Sequence, residues 1–248
     1  MEISPDFSAF GLVLTVPLIG YVLVEWLVGK LSYDRMVRDR DRDPKALVRM
    51  FRMWIAMAWA SALAVLAVLV ASPGVAASDL GLALPDEPGR AAGMFIAIAV
   101  AAPLVLFFLR RESRKSVPRV AQSAVTEMHP RTSTERWYTL GMSVTAGVCE
   151  ELVYRGFLIA FGVGVLGLGV KTAAGAALVL FVIGHLYQGW RGVLPVAAIG
   201  YLLTYLYVTS GSLLVPVGLH VAIDVFALVV VPMVAGRTAQ AAPETARS

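Results

Sequence analysis

The chain has 248 residues, 58% of them apolar and 15% charged, with a mean hydropathy of +0.74 and a formal net charge of +4. That balance excludes a soluble globular domain and a disordered chain, and points to a polytopic integral membrane protein. A single cysteine, Cys149, excludes an intramolecular disulfide.

Apolar runs able to cross about 30 Å of hydrocarbon fall at residues 8–29, 51–71, 91–109, 140–166, 171–188, 192–210 and 213–235. We expect one all-α membrane domain, a helical bundle of about seven transmembrane helices. Residues 1–136 would supply three spans and two basic loops, 137–235 a core bearing the polar motifs, and 236–248 a short disordered tail. The first six residues are mildly acidic and lack a basic n-region, so the first run reads as a retained span rather than a signal peptide. Glu25, beside Trp26 at the inner end of that span, is expected to reach the headgroups.

Between the first two spans lie Lys30, Arg35, Arg38, Arg40, Arg42, Lys45, Arg49 and Arg52. Arg110, Arg111, Arg114, Lys115, Arg119, Arg131 and Arg136 follow the third, whereas the opposite side carries only Arg90 and Lys171. The positive-inside rule then puts the N-terminus outside and the C-terminus in the cytoplasm. Trp26, Trp54, Trp137 and Trp190 fall at the predicted inner interface, where amphipathic rings belong. The basic loops are read as contacts to anionic lipid, not nucleic acid. Gly162, Gly164, Gly167, Gly169 and Gly175 would let the fourth and fifth helices approach closely at the outer turn.

The fourth run holds Glu150, Glu151 and Arg155. An ionised group at membrane depth costs about 2.5–3.5 kcal/mol on insertion scales, so these residues need partners. Glu151 and Arg155 are four apart and can pair on one helical face. Glu150 is turned about 100° from its neighbour and must point elsewhere. His185 ends the stretch Phe181–His185, and taken alone it reads as a neutral histidine bonded to a backbone carbonyl. His220 and Asp224 share a face of the seventh span, where such a pair could equally be a clamp between helices. Alternating topology, however, brings Glu150, His185, His220 and Asp224 to a similar depth, and an intramembrane polar cluster is a candidate functional site. Cys149 reads as a small inert hydrophobe.

In order, Glu150-Glu151…Arg155, Phe181…His185 and His220…Asp224 resemble the motifs of the CAAX prenyl protease and bacteriocin-processing (CPBP, or Abi) family of intramembrane proteases. The resemblance covers roughly residues 145–230 and implies hydrolysis of a peptide bond at or in the membrane, the enzyme being an integral protein of a bacterial-type plasma membrane. The substrate would be a peptide or protein, in eukaryotic members one lipidated at a C-terminal cysteine. By position, Glu150 and His185 would activate water, His220 and Asp224 would stabilise the oxyanion, and Glu151 with Arg155 would support them. An ionised aspartate only accepts hydrogen bonds, so Asp224 is expected to act by holding His220 in one tautomer. We favour metal-free glutamate catalysis with no required cofactor; a zinc ion, if present, would be held by Glu150, His185 and His220. The alternative is a non-catalytic membrane protein, either a bacteriocin-immunity or scaffold protein or a proton-coupled carrier.

Overall fold

A computed structural model describes residues 1–85, 87–89, 92, 93, 96 and 124–233. The candidate third span at 91–109 falls almost entirely outside the described residues, as do most of the second basic loop and the tail.

The first two apolar runs form α1 (Ala9–Asp39) and α2 (Ala46–Ala71). Ser8 caps α1 by accepting from Gly11 N–H at 2.9 Å, and its hydroxyl donates to Ala71 O at 2.6 Å. One side chain thus satisfies an orphan donor of one helix and an orphan carbonyl of the other. Asp6 and Gly74 pair in an isolated antiparallel bridge beside it. In the tight α1–α2 turn, the backbone N–H of Lys45 and the guanidinium of Arg49 hold the Asp43 carboxyl below its ordinary value.

A third helix, α3, runs over 133–164. It starts as an α-helix (Ser133–Glu150), widens to π geometry (Glu151–Phe157) and closes as an α-helix (Leu158–Gly164). Its first turn is fixed by a capping box, in which Glu135 N–H donates to Thr132 Oγ1 and Thr132 N–H to the Glu135 carboxylate. Thr132→Ala should cost about 1 kcal/mol of stability, read as a lower thermal midpoint in detergent with activity otherwise retained. Three further helices follow: α4 (Val170–Gly184), α5 (Gly189–Ser210) and α6 (Leu214–Val225), the last continued by a π turn (Phe226–Val230).

Among the described residues, four helical stretches are long and apolar enough to cross a membrane: Ala9–Asp39, Ala46–Ala71, Gly192–Ser210 and Leu214–Met233. The protein is therefore an all-helical integral membrane protein. With α3 and the shorter α4, six helices are described at the expected runs, in line with about seven. The chain reverses between α1 and α2 and at each connection from α3 to α6, whereas α2 and α3 run in the same direction. The ends of α2 and α3 and the starts of α1, α4 and α6 gather at one end of the bundle.

Small residues set the approaches that matter. A Cβ on Gly162 would lie 2.8 Å from the Cβ of Ala173, so α3 and α4 touch where the glycine-rich turn led us to expect. Gly167, Gly169 and Gly175, by contrast, have open space, and Gly164 meets Pro5 and Phe7 rather than α4. A Cβ on Gly147 would lie 2.9 Å from the backbone N of Val221, which brings α3 and α6 almost into backbone contact. That contact sits three residues before Glu150 and one after His220.

Two interfacial expectations are corrected. Arg40 does not reach lipid. It is buried against Glu135, with Nη1–Oε1 at 2.5 Å and Nη2–Oε2 at 3.0 Å, and it also donates to His129 O. The pair locks the end of α1 to the start of α3. Trp54 is half-buried rather than lodged among headgroups: its indole N–H donates to Ser32 Oγ, and its ring packs against Tyr187 at 5.3 Å. Trp137 and Trp190 are exposed, as amphipathic anchors should be.

Candidate active site

The π turn carries most of the charge of the first motif. An α-helix holds successive residues at a fixed 100°, whereas a π turn inserts an extra residue into the ring and re-aims the side chains beyond it. Every residue from Glu151 to Phe157 is buried. Arg155 Nη1 donates to Glu151 Oε1 at 2.9 Å, so the four-apart pairing forms. The guanidinium also donates to Gly200 O at 3.1 Å and to Thr204 Oγ1 at 3.4 Å, both on α5. Its carbon lies 4.3 Å from the centre of the Phe181 ring on α4. One arginine therefore ties three helices together, and its buried charge is compensated by Glu151.

Around this anchor stand the histidines. The backbone carbonyl of Phe181 holds His185 Nδ1 at 2.8 Å. His185 Nε2 is left facing Glu150 Oε2 at 3.9 Å. His220 Nδ1 lies 2.7 Å from Glu151 Oε1, and its Nε2 faces Glu150 Oε2 at 4.0 Å and Asp224 Oδ2 at 3.8 Å. The bond that orients His220 thus comes from Glu151, not from Asp224 as expected. Asp224 instead shares the face that His220 turns to the interior. The structure brings all six residues together.

They gather at a cavity of about 350 Å³. Its polar wall is Glu150, His185, His220 and Asp224; Met57, Met142, Val153, Val196 and Ile199 line much of the remainder. Cys149 also borders it, 1% exposed, with no reactive partner among the described residues that would make it a nucleophile. Glu25 corrects another expectation: it lines this cavity rather than reaching for the headgroups. Sequence reasoning assigned Glu25 to the lipid surface, and it passed over Tyr21, Tyr154 and Thr204. The four-residue spacing of Tyr21 and Glu25, which places both on one face of α1, was the available signal.

Zinc sets a geometric demand on these donors. Ligands 2.0–2.2 Å from a tetrahedral ion stand about 3.3–3.6 Å from one another. The separations of 3.9 and 4.0 Å from Glu150 to the two imidazoles exceed this. Among the described residues no three His, Cys, Asp or Glu side chains form a metal-holding group. The residues as placed do not fit zinc.

Apolar helices that enclose glutamates and histidines at the head of an internal cavity define a membrane protein with a buried polar centre. Residues 132–226 match the sequence model of the Rce1-like family, described as type II CAAX prenyl endopeptidase Rce1-like. That stretch contains all three motifs, and the matched model is of the CAAX-endopeptidase kind that those motifs resemble. No curated protein and no solved structure matches the chain.

Proposed function

We propose that the protein is an intramembrane endopeptidase of the CAAX-protease type, with Glu150 as its base. One observation carries this reading. Glu150 Oε2 is buried without a hydrogen-bond partner among the described residues, and it faces two imidazole nitrogens about one water molecule away. A separation near 4 Å is what a single water can bridge with bonds of about 2.8 Å to each side. A buried acceptor without a partner is costly in a merely structural role, whereas a base awaiting its water needs one.

Glu150, assisted by His185 Nε2, takes the proton of the attacking water. The carbonyl oxygen, as it gains charge, turns toward His220 Nε2 and Asp224. His220 donates there as an imidazolium whose other N–H is held by Glu151, so charge compensation and aim come from one residue. Asp224 accepts the remaining proton-bearing groups of the intermediate or, carrying its own proton, donates. The apolar wall of methionine, valine and isoleucine suits a peptide beside a hydrocarbon chain, in keeping with a substrate lipidated at a C-terminal cysteine. The basic α1–α2 loop, under the positive-inside rule, favours a cytoplasmic position for that end of the bundle, with the N-terminus outside.

The decisive experiment is tripeptide release from a farnesylated Cys-a-a-X peptide by purified protein, with Glu150→Gln as control. Equal release by both proteins would refute the reading. Asp224 supplies a finer test. Asparagine keeps an acceptor and adds a donor, so Asp224→Asn should stay within about tenfold of wild type, at most about 1.4 kcal/mol in the barrier. Asp224→Ala should fall much further. If the two variants fall together, the charge of Asp224 is itself required. Dialysis against a strong chelator should leave most activity. Loss on chelation that zinc restores, with about one zinc per chain, would establish a metal enzyme instead.

A further inference from the structure

A carboxyl group stands on α1, where none of the three motifs reaches. Glu25 lines the same cavity as Glu150, and so does Tyr21, one turn earlier on the same face of α1. Across the cavity wall it meets Gly184, the residue before His185. A Cβ built there would lie 2.6 Å from Glu25 Oε1 and 3.2 Å from the Tyr154 hydroxyl. Only the missing side chain at Gly184 lets Glu25 stand so close. Tyr154 is 3% exposed, and its hydroxyl has no hydrogen-bond partner among the described residues. This hydroxyl, on the π turn after Glu150, is placed to reach a carboxylate at Glu25.

The two glutamates have different neighbours. Glu150 faces two imidazoles, which suit a group that must accept a proton. Glu25 is surrounded by tyrosine hydroxyls and apolar wall, with Glu150 as its charged neighbour. Two carboxyl groups in unlike settings around one cavity divide naturally into a base and an acid. Peptide hydrolysis needs both, since an amide nitrogen leaves only after it gains a proton.

Resting on the endopeptidase reading, we infer that Glu25 is the general acid that protonates the leaving amine. The water oxygen bonds to the carbonyl carbon while its proton passes to Glu150. The carbon–nitrogen bond then breaks as the nitrogen takes the proton of the Glu25 carboxyl group, leaving a carboxylate that Tyr21 and Tyr154 can hydrogen-bond. Return of the proton from Glu150 to Glu25 restores both groups. The net change is addition of one water across the peptide bond.

The test compares two probes: a fluorescent farnesylated Cys-a-a-X peptide, and its analogue with an ester in place of the scissile amide. An alcohol leaves with far less need of protonation than an amine. Glu25→Gln should therefore lose about 10²-fold or more on the amide and only a few-fold on the ester. Preserved ester cleavage also shows that the variant is folded. Equal losses on both probes would reduce Glu25 to a structural residue, and unchanged amide cleavage would remove it from the reaction; either overturns the inference while leaving the endopeptidase reading intact. Wild-type protein that cleaves neither probe would overturn that reading and the inference with it. Should Glu25→Gln fail to accumulate, Gly184→Ala carries the same comparison. It presses a methyl group against the Glu25 carboxyl and displaces it, while removing no ionisable side chain.

Discussion

Glu150→Gln should lower peptide release by at least about 10³-fold, within the range for loss of a general base, with the protein folded as before. The substitution exchanges one oxygen for an amide nitrogen at nearly constant volume. Glu150 Oε2 makes no hydrogen bond among the described residues that could be lost. Its salt-bridge neighbours, His185 and His220, stand at 3.9 and 4.0 Å and are each held by another group, Phe181 O and Glu151. The cavity should thus keep its shape while losing its acceptor for the water proton. A thermal midpoint in detergent within a few degrees of wild type, with turnover near background, is the expected pair of results. Substantial turnover by the folded variant would give the base assignment to another residue. His185 is the first candidate, because its Nε2 faces the same space.

The bundle and most of its polar centre were legible because membrane burial penalises charge so steeply. Few ionisable groups survive within the apolar runs, and five of them, Glu25, Glu150, His185, His220 and Asp224, line one cavity. Helical periodicity also predicted the Glu151–Arg155 bond. Three things were not legible, each for a physical reason. A π turn has no composition of its own, so the extra residue over Glu151–Phe157 could not be read from a sequence with the pattern of plain helix. The partner of His220 was misjudged because spacing finds neighbours on one helix, and Asp224 was the near one. Its bond in fact goes to Glu151, 69 residues away, across the close contact that Gly147 permits. Glu25 lies midway along α1 and Arg40 caps its C-terminal end, and long side chains at such positions can equally reach outward or turn inward. Helix packing decided for the interior in both cases.

Arg155→Ala should have the largest effect on the fold of any single change in the site, about 3–5 kcal/mol, as expected when one member of a buried ion pair is removed. Glu151 is 0% exposed and would be left without the guanidinium it accepts from, and Gly200 O and Thr204 Oγ1 would each lose a donor. The stacking over Phe181 would go as well, loosening α4 where His185 is anchored. Folded yield after detergent extraction, read as the monodisperse fraction in size exclusion, should drop sharply. Activity per folded molecule should drop too, because Glu151 aims His220 and would be free to shift. Arg155→Lys should rescue only part of this, since an ammonium cannot span Glu151, Gly200 and Thr204 from one planar fork. The double change Glu151→Gln with Arg155→Met separates the two effects. Removing both charges should restore much of the folded yield, while turnover stays low because an amide opposite His220 Nδ1 cannot balance an imidazolium. If Arg155→Ala alone gave normal yield and midpoint, the guanidinium would not be the tie between α3, α4 and α5. If the double variant regained full turnover, the Glu151 charge would have no part in holding His220 as a donor.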